Sequence, residues 1–380
     1  MPLEDEEDVI ATLEELKIAQ AFIKVIQDAT LDNFNLDAAV CDHLKNPIKE
    51  PLNLSEEAAI LTSIELFLGT TTASQKVYEN VCAIFFWHMQ RTNPGDEFEL
   101  LSYYRIQETI AELTGVHSMM NDMCPNTCIA YTGPFYNLTI CPKCEEPHYE
   151  ATMPGRKQQS KQQFHTILLG PQLQALWRSP ETAKKMQHRS QETKKILEAL
   201  ERNGNNIDEW QDIYYGTAYL DAVHAGNIKD NDMVLLMSIN GAQLCQSKQS
   251  DYCIYIWVIL DLAPDLRYKE QHVFSGRFIP GSNKPKNVDS FIFPSLHHVA
   301  ALMKEGLSIW DAARDLNFLS QPFLHLGTAD GPGMTYLNGL TGHSGAFGCC
   351  LYCAVKGHRK DGGNHYYPAL LKLNEYNVGC

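Results

Sequence analysis

Four cysteines, Cys124-x3-Cys128-x12-Cys141-x2-Cys144, lie in one short polar stretch, "MCPNTCIAYTGPFYNLTICPKCEEPHY". They constrain the fold more than any other feature of the chain. Four thiolates complete a tetrahedral shell around zinc, and the Cys-Pro-Lys-Cys pair has the short spacing of a zinc knuckle. A segment this polar cannot pack without such a staple. Four protein ligands leave no open position, so the zinc expected here is structural. His148 is an alternative ligand, and a set of unrelated buried thiols is the plainer reading.

A second set follows near the C-terminus. Cys350-x2-Cys353 with His358 and His365 makes a Cys2His2 set, in which Cys349 can replace Cys350. Cys41, Cys82, Cys245, Cys253 and Cys380 have no metal spacing. The start, "MPLEDEEDVI", lacks the basic-then-apolar pattern of a signal peptide. An intracellular chain is therefore expected. In a reducing compartment its 12 cysteines point to metal sites or buried thiols, not disulfides. No run is long and apolar enough for a membrane span.

The formal net charge of −15 argues against a surface that binds nucleic acid everywhere. The charge is uneven. Residues 1–60 hold 14 Asp/Glu against 4 Lys/Arg, and residues 151–202 hold 10 Lys/Arg against 4 Asp/Glu. Any anion-facing surface belongs to the second segment, with Arg178, Lys184, Lys185, Arg189, Lys194 and Lys195 as candidates. The acidic N-terminal helices suit protein contact better than DNA contact.

Periodicity predicts a mostly helical region over residues 1–116. Its helices run over 6–28, from an N-cap at Ser55, through "ASQKVYENVCAIFFWHMQ", and through "LLSYYRIQETIAEL" to a stop at Gly115. The zinc-binding segment covers 117–150. "GRKQQSKQQ" reads as a loop or linker, and a basic helical segment spans roughly 164–202, within a linker region of 151–215. From Met233 the period changes. "MVLLMSI", "YCIYIWVIL" and "HVFSGRFI" read as strands, "SLHHVAALMKEGLSIWDAARDL" as a helix, and "PFLHLGTAD" as a strand ending at Asp330. Three strands, a crossover helix and a strand make a mixed α/β plan for 216–345, with the second cysteine–histidine set in 346–380.

Four segments together resemble CACTA (En/Spm-type) DDE transposases, their fungal members and the related Kyakuja-Dileera-Zisupton group. They are the first cysteine segment, "INGAQLCQSKQSD", "FIPGSNKPKNVDSF" and "HLGTADGPGMTYLNGLTGHSGAFGCCLYC". The resemblance covers roughly residues 55–370 and is strongest from 120 on. It implies a nuclease core on an RNase H-like fold that begins strand-strand-strand-helix-strand. It implies a nuclear protein acting on transposon DNA ends with Mg or Mn. It places the first acid at Asn240, the second at Asp330, and a zinc-binding insertion at Cys350, Cys353, His358 and His365.

Asn240 is not an acid. Two-metal phosphoryl transfer needs anionic oxygens around two cations about 4 Å apart, and an amide carbonyl brings no charge. The final Glu of the family has no convincing counterpart. Glu375 stands too close after the insertion, Asp232 lies at the far end of its strand, and Asp251 reads as a turn acid. The expectation is a transposase-derived chain that binds zinc, contacts DNA and does not cleave it. Two other readings stay open: a fragment of a working DDE transposase, and a zinc-stapled protein-interaction module.

Overall fold

The computed structural model describes residues 13–338 apart from 35, 37, 55–56, 93–97, 152–157, 205, 244–250 and 281–283. Beyond 338 it describes 345–348, 356–359, 362–363 and 366–367. Helices α1 (Glu14–Gln27), α2 (Ala38–Lys45), α3 (Ala58–Gly69), α4 (Gln75–Thr92) and α5 (Tyr103–Thr114) precede β1 (Ser118–Met123) and β2 (Gln162–Ile167). Then come α6 (Leu169–Trp177), α7 (Pro180–Lys185), α8 (His188–Arg202) and α9 (Thr217–His224). The core strands follow: β3 (Val234–Gln243), β4 (Asp251–Ile259) and β5 (Val273–Ile279). Last are α10 (Val288–Glu305), β6 (Leu307–Asp311), β7 (Leu316–Ser320), β8 (Phe323–Ala329) and α11 (Gly331–Asn338).

The expected strand-strand-strand-helix-strand succession is present as β3, β4, β5, α10 and β8. One mixed sheet of six strands has the order β1-β2-β5-β4-β3-β8. β3, β4 and β5 are antiparallel neighbours, and β8 returns parallel to β3. Period-2 alternation divides the strands between two layers. Leu235, Met237 and Ile239 face a core shared with α6, α10 and the β6–β7 hairpin. Val234 and Leu236 face a second core with Ile196 of α8 and Tyr219 and Leu220 of α9.

Several expectations needed correction. "GLSIWDAARDL" is not the end of the helix. Gly306, at φ 83°, stops α10, and the hairpin β6–β7 follows, turning through Asp315 at φ 50°. The buried strand β6 packs against α6, and Phe318 of β7 meets Trp177 of α6, so tertiary burial overrides the helical reading. The end of "GRKQQSKQQ" and the start of the basic segment form β2, which pairs with β1 and with β5 through Thr166 and Arg277. The segments 117–150 and 151–215 are thus built into the sheet of the core. Ser55 lies outside the described residues; α3 begins at Ala58 with Glu57 as its N-cap. Helix α5 ends as predicted, at Gly115 in a left-handed conformation, φ 73°.

Crossover helix α10 carries Pro294 in its interior. Proline has no N–H, so the Ser290 carbonyl loses its helical donor. The Thr132 hydroxyl donates to that carbonyl instead. Ala130 N–H donates to Ser290 Oγ at 2.9 Å, and Lys286 and Asn287 N–H both donate to the Cys128 carbonyl, at 3.1 and 3.0 Å. The first cysteine segment therefore fixes the start of α10 in the core.

Candidate metal centre and carboxylate site

The end of β1 runs into Cys124. Cys124 N–H donates to Ile129 O, and Thr127 N–H donates to Cys124 O, closing a tight turn around the first pair of cysteines. Around the second pair, Cys141 N–H donates to Glu146 O and Glu145 N–H to Cys141 O. Each turn contains a non-glycine residue of positive φ, Thr127 at 56° and Glu145 at 61°. Such conformations are costly, and the surrounding bonds hold them.

The two turns bring the four sulfurs together. Sγ of Cys124, Cys128, Cys141 and Cys144 all lie within 4.8 Å of one another, and those of Cys124 and Cys144 are 3.5 Å apart. A tetrahedron with metal–sulfur bonds of about 2.3 Å has edges of about 3.8 Å, so the set fits a metal ion. Among the described residues no other group of three or more His, Cys, Asp or Glu side chains converges in this way. Cys124, Cys128 and Cys141 are buried and Cys144 is half-buried.

Burial pushes the Cys128 thiol up to about 11 and the Cys141 thiol up to about 12. At Cys144 burial also opposes ionisation, but the Asn126 amide and the Glu146 N–H outweigh it and hold the thiol at about 6. A cation among the four sulfurs supplies the positive charge that lets the rest ionise, with release of protons.

His148 is not a ligand. Its ring is stacked between Tyr131 and Tyr149, with centroids 3.6 and 3.8 Å away. Nδ1 lies 3.0 Å from the Leu138 carbonyl and Nε2 lies 3.0 Å from Asp122 Oδ2. Both nitrogens are spoken for, and the ring ties the second turn to β1. Around the cysteines, Ile129, Tyr131 and Phe135 pack with Phe22 of α1 and Phe293 of α10. Any metal here therefore also organises the docking of α1.

The other pair of residues singled out by sequence also meets. β3 and β8 run parallel, paired through Ile239 and Ala329. Asn240 follows Ile239 within β3, and Asp330 follows Ala329 directly after the end of β8, so both stand one residue beyond the last pair of the ladder. Ile239 and Ala329 both belong to the core shared with α10, and Asn240, still within β3, faces the other way by strand alternation. Asn240 and Asp330 are both exposed. Asp330 Oδ1 accepts the Gly333 N–H at 2.7 Å, which makes it the cap of α11. A Cβ on Gly333 would stand 2.8 Å from that oxygen, so the turn needs glycine there.

Asp232 is buried at the other end of β3, where its carboxylate accepts from Lys229 and Gln321 N–H. Asp251 pairs with Gln243, three residues beyond Asn240. Cys350, Cys353, His365 and Glu375 lie outside the described residues, and His358 lies in a short exposed strand.

The basic segment is largely neutralised. Arg189 is 2% exposed, with Nε 2.7 Å from Asp261 Oδ1 and Nη2 on the carbonyls of Lys229, Asp230 and Asp232. It belongs to the core and is removed from the candidate DNA surface. Its helix-periodic place among charged residues gave no signal of this, because the partner acid stands 72 positions away. Arg178 ties its guanidinium to the carbonyls of Glu50 and Leu113. Lys185, Lys194 and Lys195 pair with Glu181, Asp230 and Glu192. Lys184 is exposed and takes part in no ion pair among the described residues.

No family model matches the sequence, and no curated protein matches it. No helix among the described residues is long and apolar enough to cross a membrane.

Proposed function

We propose that the chain derives from a CACTA-type DDE transposase and acts as a zinc-stapled, DNA-contacting nuclear protein that does not cut DNA. The observation that supports this reading most is the meeting of Asn240 and Asp330. Each stands one residue beyond the last paired residues, Ile239 and Ala329, of two parallel strands, in the succession expected of an RNase H-like core. With an amide at one position, a single motif carboxylate serves the pair of cations, and one carboxylate does not hold two dications against their mutual repulsion. The four cysteines, all sulfur and closed, suit zinc in a structural role. The deciding experiment is a supercoiled-plasmid nicking assay with Mg²⁺ and Mn²⁺ on the zinc-loaded chain. No nicking is expected, and nicking lost on Asp330→Ala would overturn the inactive assignment.

A second reading, a zinc-stapled protein-interaction module, is favoured by the ion pairs that occupy Lys185, Lys194 and Lys195. A salt titration of duplex DNA binding separates the two. DNA contact gives an affinity that falls linearly with log salt and a smaller slope after charge reversal at Lys184, Lys185, Lys194 and Lys195. Absence of DNA binding at low salt leaves the interaction module.

A further inference from the structure

Strand β1 is one edge of the six-stranded sheet. Tyr131 N–H donates to the Asp122 carbonyl and Cys124 N–H donates to the Ile129 carbonyl, on the side of β1 away from β2. In an antiparallel ladder alternate residues turn their backbone groups to the same side. Asp122 and Met120 therefore both present theirs outward. The covering segment turns away at Thr132, into the Gly133–Phe135 turn. Among the described residues nothing takes the Met120 N–H, the Met120 carbonyl or the Asp122 N–H.

A groove of about 630 Å³ runs beside this edge. Met119, Met120, Thr132 and Tyr136 are among its lining residues, with Pro294 and His297 of α10. Met120 is 49% exposed and Tyr136 is 63% exposed. Edge strands are ordinarily guarded by lysine, proline or a bulge. β1 reads SMMNDM and has none of these. Methionine side chains adapt to varied apolar partners. No Lys or Arg lines the groove, and Asp122 is its one carboxylate. That charge pattern repels a phosphate backbone and an acidic peptide and suits a neutral or basic one.

We propose that the outer edge of β1 is a peptide-binding site, which takes an extended, uncharged or basic segment of a partner protein as an added strand. The Met120 N–H and carbonyl and the Asp122 N–H supply the hydrogen bonds, and the methionine- and tyrosine-lined groove takes alternate side chains. This inference does not depend on transposase ancestry.

The test is selection of a displayed library of random dodecapeptides on the full zinc-loaded chain, followed by anisotropy titration of the best peptide, synthesised with a fluorescein label. Recovery of aliphatic or basic extended peptides is expected. Met120→Pro should weaken binding at least about tenfold. Its outward N–H is not part of the β1–β2 ladder, a position where proline is tolerated. Zinc content and melting temperature should hold. Met120→Lys, which keeps the N–H and adds an edge guard, carries the same expectation if the proline variant does not fold. Amide exchange at Met120 and Asp122 should slow on binding. Failure to recover any peptide, recovery of acidic peptides only, binding by both variants within about twofold of wild type, or displacement by single-stranded oligothymidine would each overturn the proposal.

Discussion

Thr132 donates its hydroxyl to the Ser290 carbonyl, the acceptor that Pro294 leaves without a helical donor. The bond joins the cysteine-bound segment to the crossover helix at the point where that helix is weakest. Removing the hydroxyl strands a buried carbonyl, which costs about 1–3 kcal/mol. Thr132→Val should lower stability by that amount in urea unfolding. Pro294→Ala should reduce the loss, because it returns an N–H to the same carbonyl. Equal losses in both backgrounds would show that the two residues do not share this acceptor.

One zinc per chain is expected on the four cysteines. Cys141→Ser with Cys144→Ser should abolish it, measured by metal analysis. Phe22 of α1 packs in the cluster that surrounds these cysteines. Chelation should therefore speed amide exchange in α1 as well as in residues 124–144, while β3 and β4 stay protected. Retention of a full zinc in the double variant would refute the assignment.

Arg189 and Asp261 form an ion pair in which the side chains are 2% and 4% exposed. Arg189→Ala leaves an unpaired buried carboxylate and should cost about 3–5 kcal/mol. Lys184→Ala, on the same basic run but exposed, should change stability by less than about 0.5 kcal/mol. Paired denaturation curves check this, and equal small effects would move Arg189 back to the surface.

Asp122 is held below the usual carboxylate range. Burial opposes this, but hydrogen bonds from Ser160, Gln163 and His148 outweigh it. A depressed folded pKa adds stability that is present above the unfolded value, about 3.9, and is lost as pH falls through the folded value. Asp122→Asn should therefore be less stable than wild type at pH 7, and the difference should shrink below about pH 4. A gap that widens in acid contradicts the assignment.

Asn240→Asp should strengthen Mn²⁺ binding in calorimetric titration, because it sets a second carboxylate beside Asp330. It should not restore strand cleavage, since two carboxylates still fall short of a full two-cation site. Unchanged Mn²⁺ affinity would separate Asn240 from the metal position.

The sequence by itself determined the elements whose partners are close along the chain. The cysteine spacing announced the cluster of four sulfurs that could hold a metal ion, and Gly115 marked the end of α5. The apolar or alternating runs from Met233 announced β3, β4 and β5, most plainly β3, which is buried on both faces from Val234 to Met237. Tertiary structure decided everything that depends on distant contacts. β1, at the edge of the sheet, and β2 beside it are polar strands that exist because β5 gives β2 a partner. "GLSIWDAARDL" is a hairpin because α6 covers it. Arg189 is a core residue because Asp261 faces it across the fold. The adjacency of Asn240 and Asp330 was also invisible to local periodicity. Parallel strands are joined through a crossover, and only the packing of α10 on the sheet brings their ends to one place.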